Sequence, residues 1–104
     1  MTMIFPREER FGIVDQLRRA SSSIGAQIAE GSRMNSVVHR KLYYERAYAS
    51  NAEVDNFLEL AHDLQYCTDQ QYEELLEHVN KVGFFLQKLI QSCRREKDRP
   101  CIPT

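Results

Sequence analysis

Apolar residues recur along this chain in steps of three and four, the period of an α-helix. The first series is Ile13, Leu17, Ala20, Ile24 and Ile28. It predicts a helix over 6–30, opened by Pro6, whose fixed φ suits a first turn, and by Glu8 and Glu9, which suit the helix dipole. Gly31 reads as its C-terminal stop. Gly12, Gly25 and the Ser21-Ser22-Ser23 run lower its intrinsic propensity, so this helix depends on packing, and its small residues admit a close neighbour. Ser32 to Asn35 is a polar loop, and Ser36 can cap the next helix. The second series, Tyr43, Ala47, Ser50, Val54, Phe57, Ala61 and Leu64, predicts a helix over 37–66, about 45 Å long at roughly 1.5 Å per residue. After a short loop at Cys67, Thr68 with Gln71 reads as a capping box. The third series is Tyr72, Leu75, Val79, Val82, Leu86, Leu89 and Cys93, widened by Leu76 and Ile90; it predicts a helix over 69–95. The tail 96–104 carries Pro100 and Pro103 and is expected to be disordered. Long amphipathic helices on short loops pack up and down, so the expected fold is an all-α antiparallel bundle in a single domain, 1–104. Three such helices leave a shared groove, which a fourth helix or a partner subunit would fill.

Composition supports this class. The 104 residues are 42% hydrophobic and 28% charged, enough to bury a core. With only 4 Gly and 3 Pro there are too few turn residues for a sandwich or barrel. The longest apolar run, Val82 to Leu86, falls far short of the roughly 20 residues that span a bilayer. No basic and apolar leader precedes Phe5, so no secretory signal is read. Three widely spaced cysteines, Cys67, Cys93 and Cys101, form neither a disulfide framework nor a metal pair, and a cytoplasmic location is the simpler expectation.

Charge is uneven although the net is −1. Residues 1–50 hold eight Lys/Arg against five acids, a net of +3; residues 51–104 hold six against ten, a net of −4. Eight acids and no Lys or Arg occur from Glu53 to Glu77. Arg18, Arg19, Arg33, Arg40 and Lys41 are the candidate nucleic-acid-binding residues, because clustered cations gain affinity by releasing counterions from phosphates. The plainer alternative is that basic and acidic helices of one bundle pair with each other in solvent, which the small net charge favours.

Other motifs carry less. Glu59-Leu60-Ala61-His62 has the Glu-x-x-His spacing of di-iron bundles, but those need two such motifs and two more core carboxylates. Glu59 and His62 also lie off the apolar stripe, so solvated side chains and no metal are expected. Cys93 falls on the core face of the third helix and reads as a small buried hydrophobe. The serine run lacks a Gly-x-Ser-x-Gly elbow, and helical hydroxyls bond back to carbonyls. No catalytic residue, cofactor or small-molecule substrate is expected. Tyr43, Tyr44, Tyr48 and Phe57 could stack bases, but aromatics at helical spacing are usually core or interface. Tyr48 is the exception, because it falls off the main stripe.

Phe5-Pro6, Glu9, Phe11-Gly12-Ile13, Gln16-Leu17-Arg18-Arg19-Ala20, Ser23-Ile24 and Gln27-Ile28-Ala29-Glu30-Gly31 form one recognisable run. Ser36, Tyr43-Tyr44, Ala47, Ser50, Ala52-Glu53-Val54-Asp55, Leu64-Gln65-Tyr66 and Tyr72-Glu73-Glu74-Leu75 follow at matching distances. Together they resemble a bacterial family of small four-helix-bundle proteins. It includes the 23S ribosomal-RNA intervening-sequence proteins and the accessory variability proteins of diversity-generating retroelements. The resemblance implies an antiparallel four-helix bundle and a homo-oligomeric ring, with a pentamer the expected number. It also implies RNA or DNA and a reverse transcriptase as partners, and it carries no catalytic residue. In a ring, one modest basic patch per subunit would be repeated and would act through avidity. Glu30 and Glu53 belong to the shared run and imply a structural ion pair with Arg18 or Arg19. The family has a further helix before the Phe-Pro segment, which is missing here, where only Met1 to Ile4 precede Phe5. Arg40 and Arg46 replace usually apolar positions, and Gln27 replaces the family's Asn. The expected function is therefore a non-enzymatic, self-associating accessory protein that binds nucleic acid. The alternative is a protein–protein interaction module with no nucleic-acid role.

Overall fold

The computed structural model describes the backbone of residues 7–98 and the side chains of residues 12–96. It is an all-α antiparallel array of three helices: α1 (Arg7–Ser32), α2 (Val37–Asp63) and α3 (Asp69–Asp98), with no strand among the described residues. None of these helices is long and apolar enough to cross a membrane. Pro6, Pro100, Cys101 and Pro103 lie outside the described residues.

α2 is the central element. Both α1 and α3 pack against it, while no Cα of α1 comes within 8 Å of one in α3. A helix with two neighbours must bury more than one stripe. Accordingly α2 buries Tyr44, Asn51 and Leu58 beside Ala47, Ser50 and Ala61. Where α1 turns into α2, Tyr44, Ile90 and Cys93 form a closed core, packed by Ile28, Val37 and Leu89. Leu86 and Ala47, both fully buried, continue it along the α2–α3 seam. Burying a leucine completely stabilises by about 1.5–3 kcal/mol, so this seam holds α3 in place.

Polar groups set the register. Between α1 and α2, the Ser50 hydroxyl lies 3.2 Å from Ser23 Oγ and donates to Gln27 Oε1 at 3.2 Å. Between α2 and α3, buried Asn51 donates from Nδ2 to the Val79 carbonyl at 3.0 Å. A buried amide is stable only where its partner sits, so each bond penalises a sliding of the helices.

Helix ends follow local chemistry. The Thr68–Gln71 capping box forms: Thr68 N–H donates to Gln71 Oε1 at 2.9 Å, and Gln71 N–H donates to Thr68 Oγ1 at 3.1 Å. Ser36 Oγ accepts from His39 N–H. α2 stops at Asp63, before Tyr66, because Gln65 takes φ 63°. Gln65 N–H then reaches His62 O at 3.0 Å and Tyr66 N–H reaches Ala61 O at 2.8 Å, the paired bonds of a Schellman cap on a residue other than glycine. Gly31 does not act as the expected stop. α1 continues to Ser32 and no glycine has positive φ. Its role is close approach: a Cβ there would lie 2.9 Å from Tyr44 Cε1 and 3.0 Å from Tyr43 Cβ. α3 runs on through residues 96–98, and Glu96 is held there by Arg40.

Candidate nucleic-acid interface

The five basic residues singled out from the sequence fall into two groups. Arg18 and Arg19 are exposed on α1, and Arg19 pairs with Asp15 one turn back at 3.0 Å. Arg33, Arg40 and Lys41 lie at the α1–α2 turn, fifteen residues further along, about 22 Å away at 1.5 Å per residue. Here the structure brings together what the chain separates. Arg40 donates from Nη2 to Glu96 Oε2 at 2.6 Å and from Nη1 to the Met34 carbonyl at 3.4 Å. The bond to Glu96 is the main reason its guanidinium is held above its ordinary pKa. A charged residue is tolerated at this half-buried position because its partner reaches it from α3. This contact sets the C-terminal turns of α3 beside the α1–α2 turn. Arg94 and Arg95, both exposed, thereby join Arg33, Arg40 and Lys41. The sequence reading missed them because they sit in the half of the chain whose net charge is negative.

This basic end is partly self-neutralised. Arg33 faces Glu30 at 3.9 Å and Lys41 faces Glu45 at 3.3 Å, both on their own helices. Such exposed pairs are each worth only about 0.3–0.5 kcal/mol and exchange easily for a phosphate. Arg94 and Arg95 have no acidic partner among the described residues. Arg46 sits over the Tyr43 ring at 5.4 Å. Of the aromatics on α2, Tyr44 is buried, Tyr43 and Phe57 are half-buried, and Tyr48 is exposed.

The opposite end is acidic. The chain reverses between α2 and α3, so Asp55, Glu59, Asp63 and Asp69 converge there. The Tyr72 phenol is pushed above its ordinary pKa, chiefly by burial and then by Glu59, Asp55 and Asp63. His62 is engaged within this hairpin: Nε2 lies 2.7 Å from Asp69 Oδ1, and the ring stacks on Tyr72 at 4.1 Å between centroids. Among the described residues no group of three or more His, Cys, Asp or Glu side chains is placed to hold a metal ion. Cys67 is half-buried, and burial raises its thiol pKa, so its reactive thiolate is disfavoured.

Between α1 and α3, over α2, lies an open groove of about 650 Å³. Val14, Leu17 and Ile24 form one wall, Val54 and Leu58 the floor, and Leu75 and Val82 the other wall. Leu75 is 48% exposed although it lies on the apolar stripe of α3. Among the described residues two sides of a four-cornered bundle are thus present, with the corner diagonal to α2 open.

The profile of the 23S rRNA-intervening sequence protein family matches residues 1–88, which takes in α1, α2 and most of α3. The chain belongs to that family. No curated protein matches it. In this member of the 23S rRNA-intervening sequence protein family, the run Gln27 to Gly31 is structural. Gln27 accepts from Ser50, Ile28 packs on the core and Gly31 admits Tyr44. The ion pair expected of Glu30 and Glu53 with Arg18 or Arg19 does not form. Glu30 turns to Arg33 and Arg19 to Asp15, because partners three or four residues away on the same helix are already within reach. Glu53 is exposed and has no ion pair among the described residues.

Proposed function

We propose that the chain is a non-enzymatic scaffold that acts by association. Its open groove takes a helix of another protomer, and its basic end contacts nucleic acid. The observation that carries the reading is the α1–α3 groove. Leu17, Ile24, Leu75 and Val82 line one open and mainly apolar groove, and an apolar face of that kind is a contact surface. The homo-oligomeric ring and its expected pentamer belong to this proposal, as does a cytoplasmic setting. The family is named for intervening sequences of 23S rRNA, and for this chain an RNA or DNA partner is part of the proposal, with a reverse transcriptase as a further candidate. The juxtaposition of Arg33, Arg40, Lys41, Arg94 and Arg95 supports it.

Light scattering after size exclusion tests the association. A clean monomer near 12.2 kDa removes it. A mobility shift with structured RNA that weakens with salt tests the nucleic-acid contact, and absence of a shift at low salt ends it. A second reading keeps the groove and drops nucleic acid. It is favoured by the pairing of Arg33, Arg40 and Lys41 with Glu30, Glu96 and Glu45, which leaves a modest free charge. It requires one co-purifying protein and no salt-dependent nucleic-acid binding.

A further inference from the structure

On the face of α2 and α3 turned away from the groove, a second furrow runs between the two helices. Its adjoining hollows, about 360 and 540 Å³, share Tyr48 and Gln87. Tyr48 is 38% exposed and Phe84 is 62% exposed, one on each side of the furrow. The Tyr48 ring is fixed at its tip, because Gln87 Nε2 donates to its Oη at 3.1 Å. Lys88 Nζ stands over the Phe84 ring at 5.1 Å. Gln91 and Arg94 line the furrow further along α3. Glu45 also lines it, but its carboxylate is taken by Lys41 at 3.3 Å.

We infer that this furrow binds single-stranded nucleic acid, with bases stacked on Tyr48 and Phe84 and phosphates held by Lys88 and Arg94. The inference rests on the nucleic-acid part of the proposed function and assigns it a face and a strand class. An apolar partner helix is a poor match, because the amides of Asn51, Asn80, Gln87 and Gln91 line the furrow beside the two rings. Aromatic faces that protrude from a polar surface suit unpaired bases, which stack on them whatever their identity. A duplex keeps its bases stacked internally and offers no face to these rings. The charge along the furrow sets its limits. From Phe84 to Arg95 the ionic groups of α3 are Lys88, Arg94 and Arg95, faced from α2 by Glu45, which Lys41 engages; Asp55 lines the hollow between the two rings, and beyond Phe84 the lining turns to Glu73, Glu77 and Lys81. The usable length is twelve residues of α3, a span of about 16 Å at 1.5 Å per residue.

The full chain contains no tryptophan, so Phe84→Trp installs a single reporter at the surface. Its fluorescence is titrated with an oligouridine strand and with the same strand annealed to oligoadenosine. Anisotropy of the labelled strand is measured in parallel for wild type, Phe84→Ala, Tyr48→Ala, Tyr48→Phe and the Arg94→Ala/Arg95→Ala pair. The expected result is quenching by the single strand and not by the duplex. Loss of one stacked base weakens binding by about five- to a hundred-fold, which Phe84→Ala and Tyr48→Ala show and Tyr48→Phe does not. Binding that falls with the arginine pair but is unchanged in Phe84→Ala, without quenching, overturns the stacking furrow and leaves the basic end standing. No binding at low salt by any variant overturns both. A change of oligomer size in Phe84→Ala with no effect on nucleic acid makes the furrow a protein interface and overturns the inference.

Discussion

Two glycines on one helix isolate the closeness of the α1–α2 packing. A methyl group at Gly31 would meet Tyr44 Cε1 at 2.9 Å, Tyr43 Cβ at 3.0 Å and Tyr44 Cδ1 at 3.2 Å. Neither neighbour yields easily. Tyr44 is only 6% exposed, and Tyr43 Cβ is tied to its backbone. Gly31→Ala therefore forces α1 and α2 apart at the turn, an overpacking that costs about 1–3 kcal/mol. Gly25→Ala in the same helix has nothing within 4 Å. It simply gains helix propensity, about 0.8–1.0 kcal/mol. Gly31 is the second-last residue of α1, so its own propensity gain is smaller. Gly25→Ala is expected to stabilise and Gly31→Ala to destabilise, with a separation of about 1–4 kcal/mol. For a domain of this size that is a gap of about 4 °C or more in Tm. Urea melts with unchanged slope give the same difference as a midpoint shift. Melts at two protein concentrations separate folding from any association. If Gly31→Ala gained as much stability as Gly25→Ala, the claim that this glycine exists for close approach would be wrong.

Other consequences are equally open to measurement. Leu75→Glu places a charge in the groove at a residue already 48% exposed; protomer stability should change by about 0.5 kcal/mol or less while the light-scattering mass falls toward one chain. Gln65→Gly relieves the positive φ of 63° at the end of α2 and should raise stability by about 0.5–1 kcal/mol in a urea melt. The Cys67 thiol and the Tyr44 and Tyr72 phenols all have raised pKa values, so the folded state favours their protonated forms. That stabilisation is present below the ordinary thiol and phenol values and is lost as pH rises through the raised ones; Tm should therefore fall above about pH 9–10, and a flat profile there would contradict the assignment. For the same reason, iodoacetamide at about pH 8 should label Cys67 more slowly than a free cysteine, as read by peptide mass spectrometry.

Much of the fold was legible because helical period, caps and turns are local. The Thr68–Gln71 box is a four-residue pattern, and both of its bonds form. The stripes of α1 and α3 point where their spacing says, with Ile13, Ala20, Val79, Leu86 and Cys93 buried. The stripe of α2 was incomplete, since period alone does not say how many neighbours a helix has. Tyr44, Asn51 and Leu58 are buried because a second helix lies on that side. Periodicity carries α2 past its true end because nothing in Gln65 advertises a left-handed residue. Gly31 looks like a stop along the chain because a sequence shows a missing side chain but not the ring that needs the space.

The candidate site was less legible, for a reason of geometry. Three amphipathic helices, their polarity and an uneven count of charges all depend on neighbours a few residues apart, so they can be read along the chain. Where those charges meet is a matter of packing. Antiparallel helices fold an asymmetry between halves of the chain into one between ends of the bundle. Glu53 to Glu77 close one end, while Arg94 and Arg95 return to Arg33, Arg40 and Lys41 at the other. The same packing places Tyr48 and Phe84, thirty-six residues apart, on either side of one furrow. Contacts across such separations depend on how helices cross and register, here through Asn51 on Val79 and Arg40 on Glu96, and no local pattern encodes them.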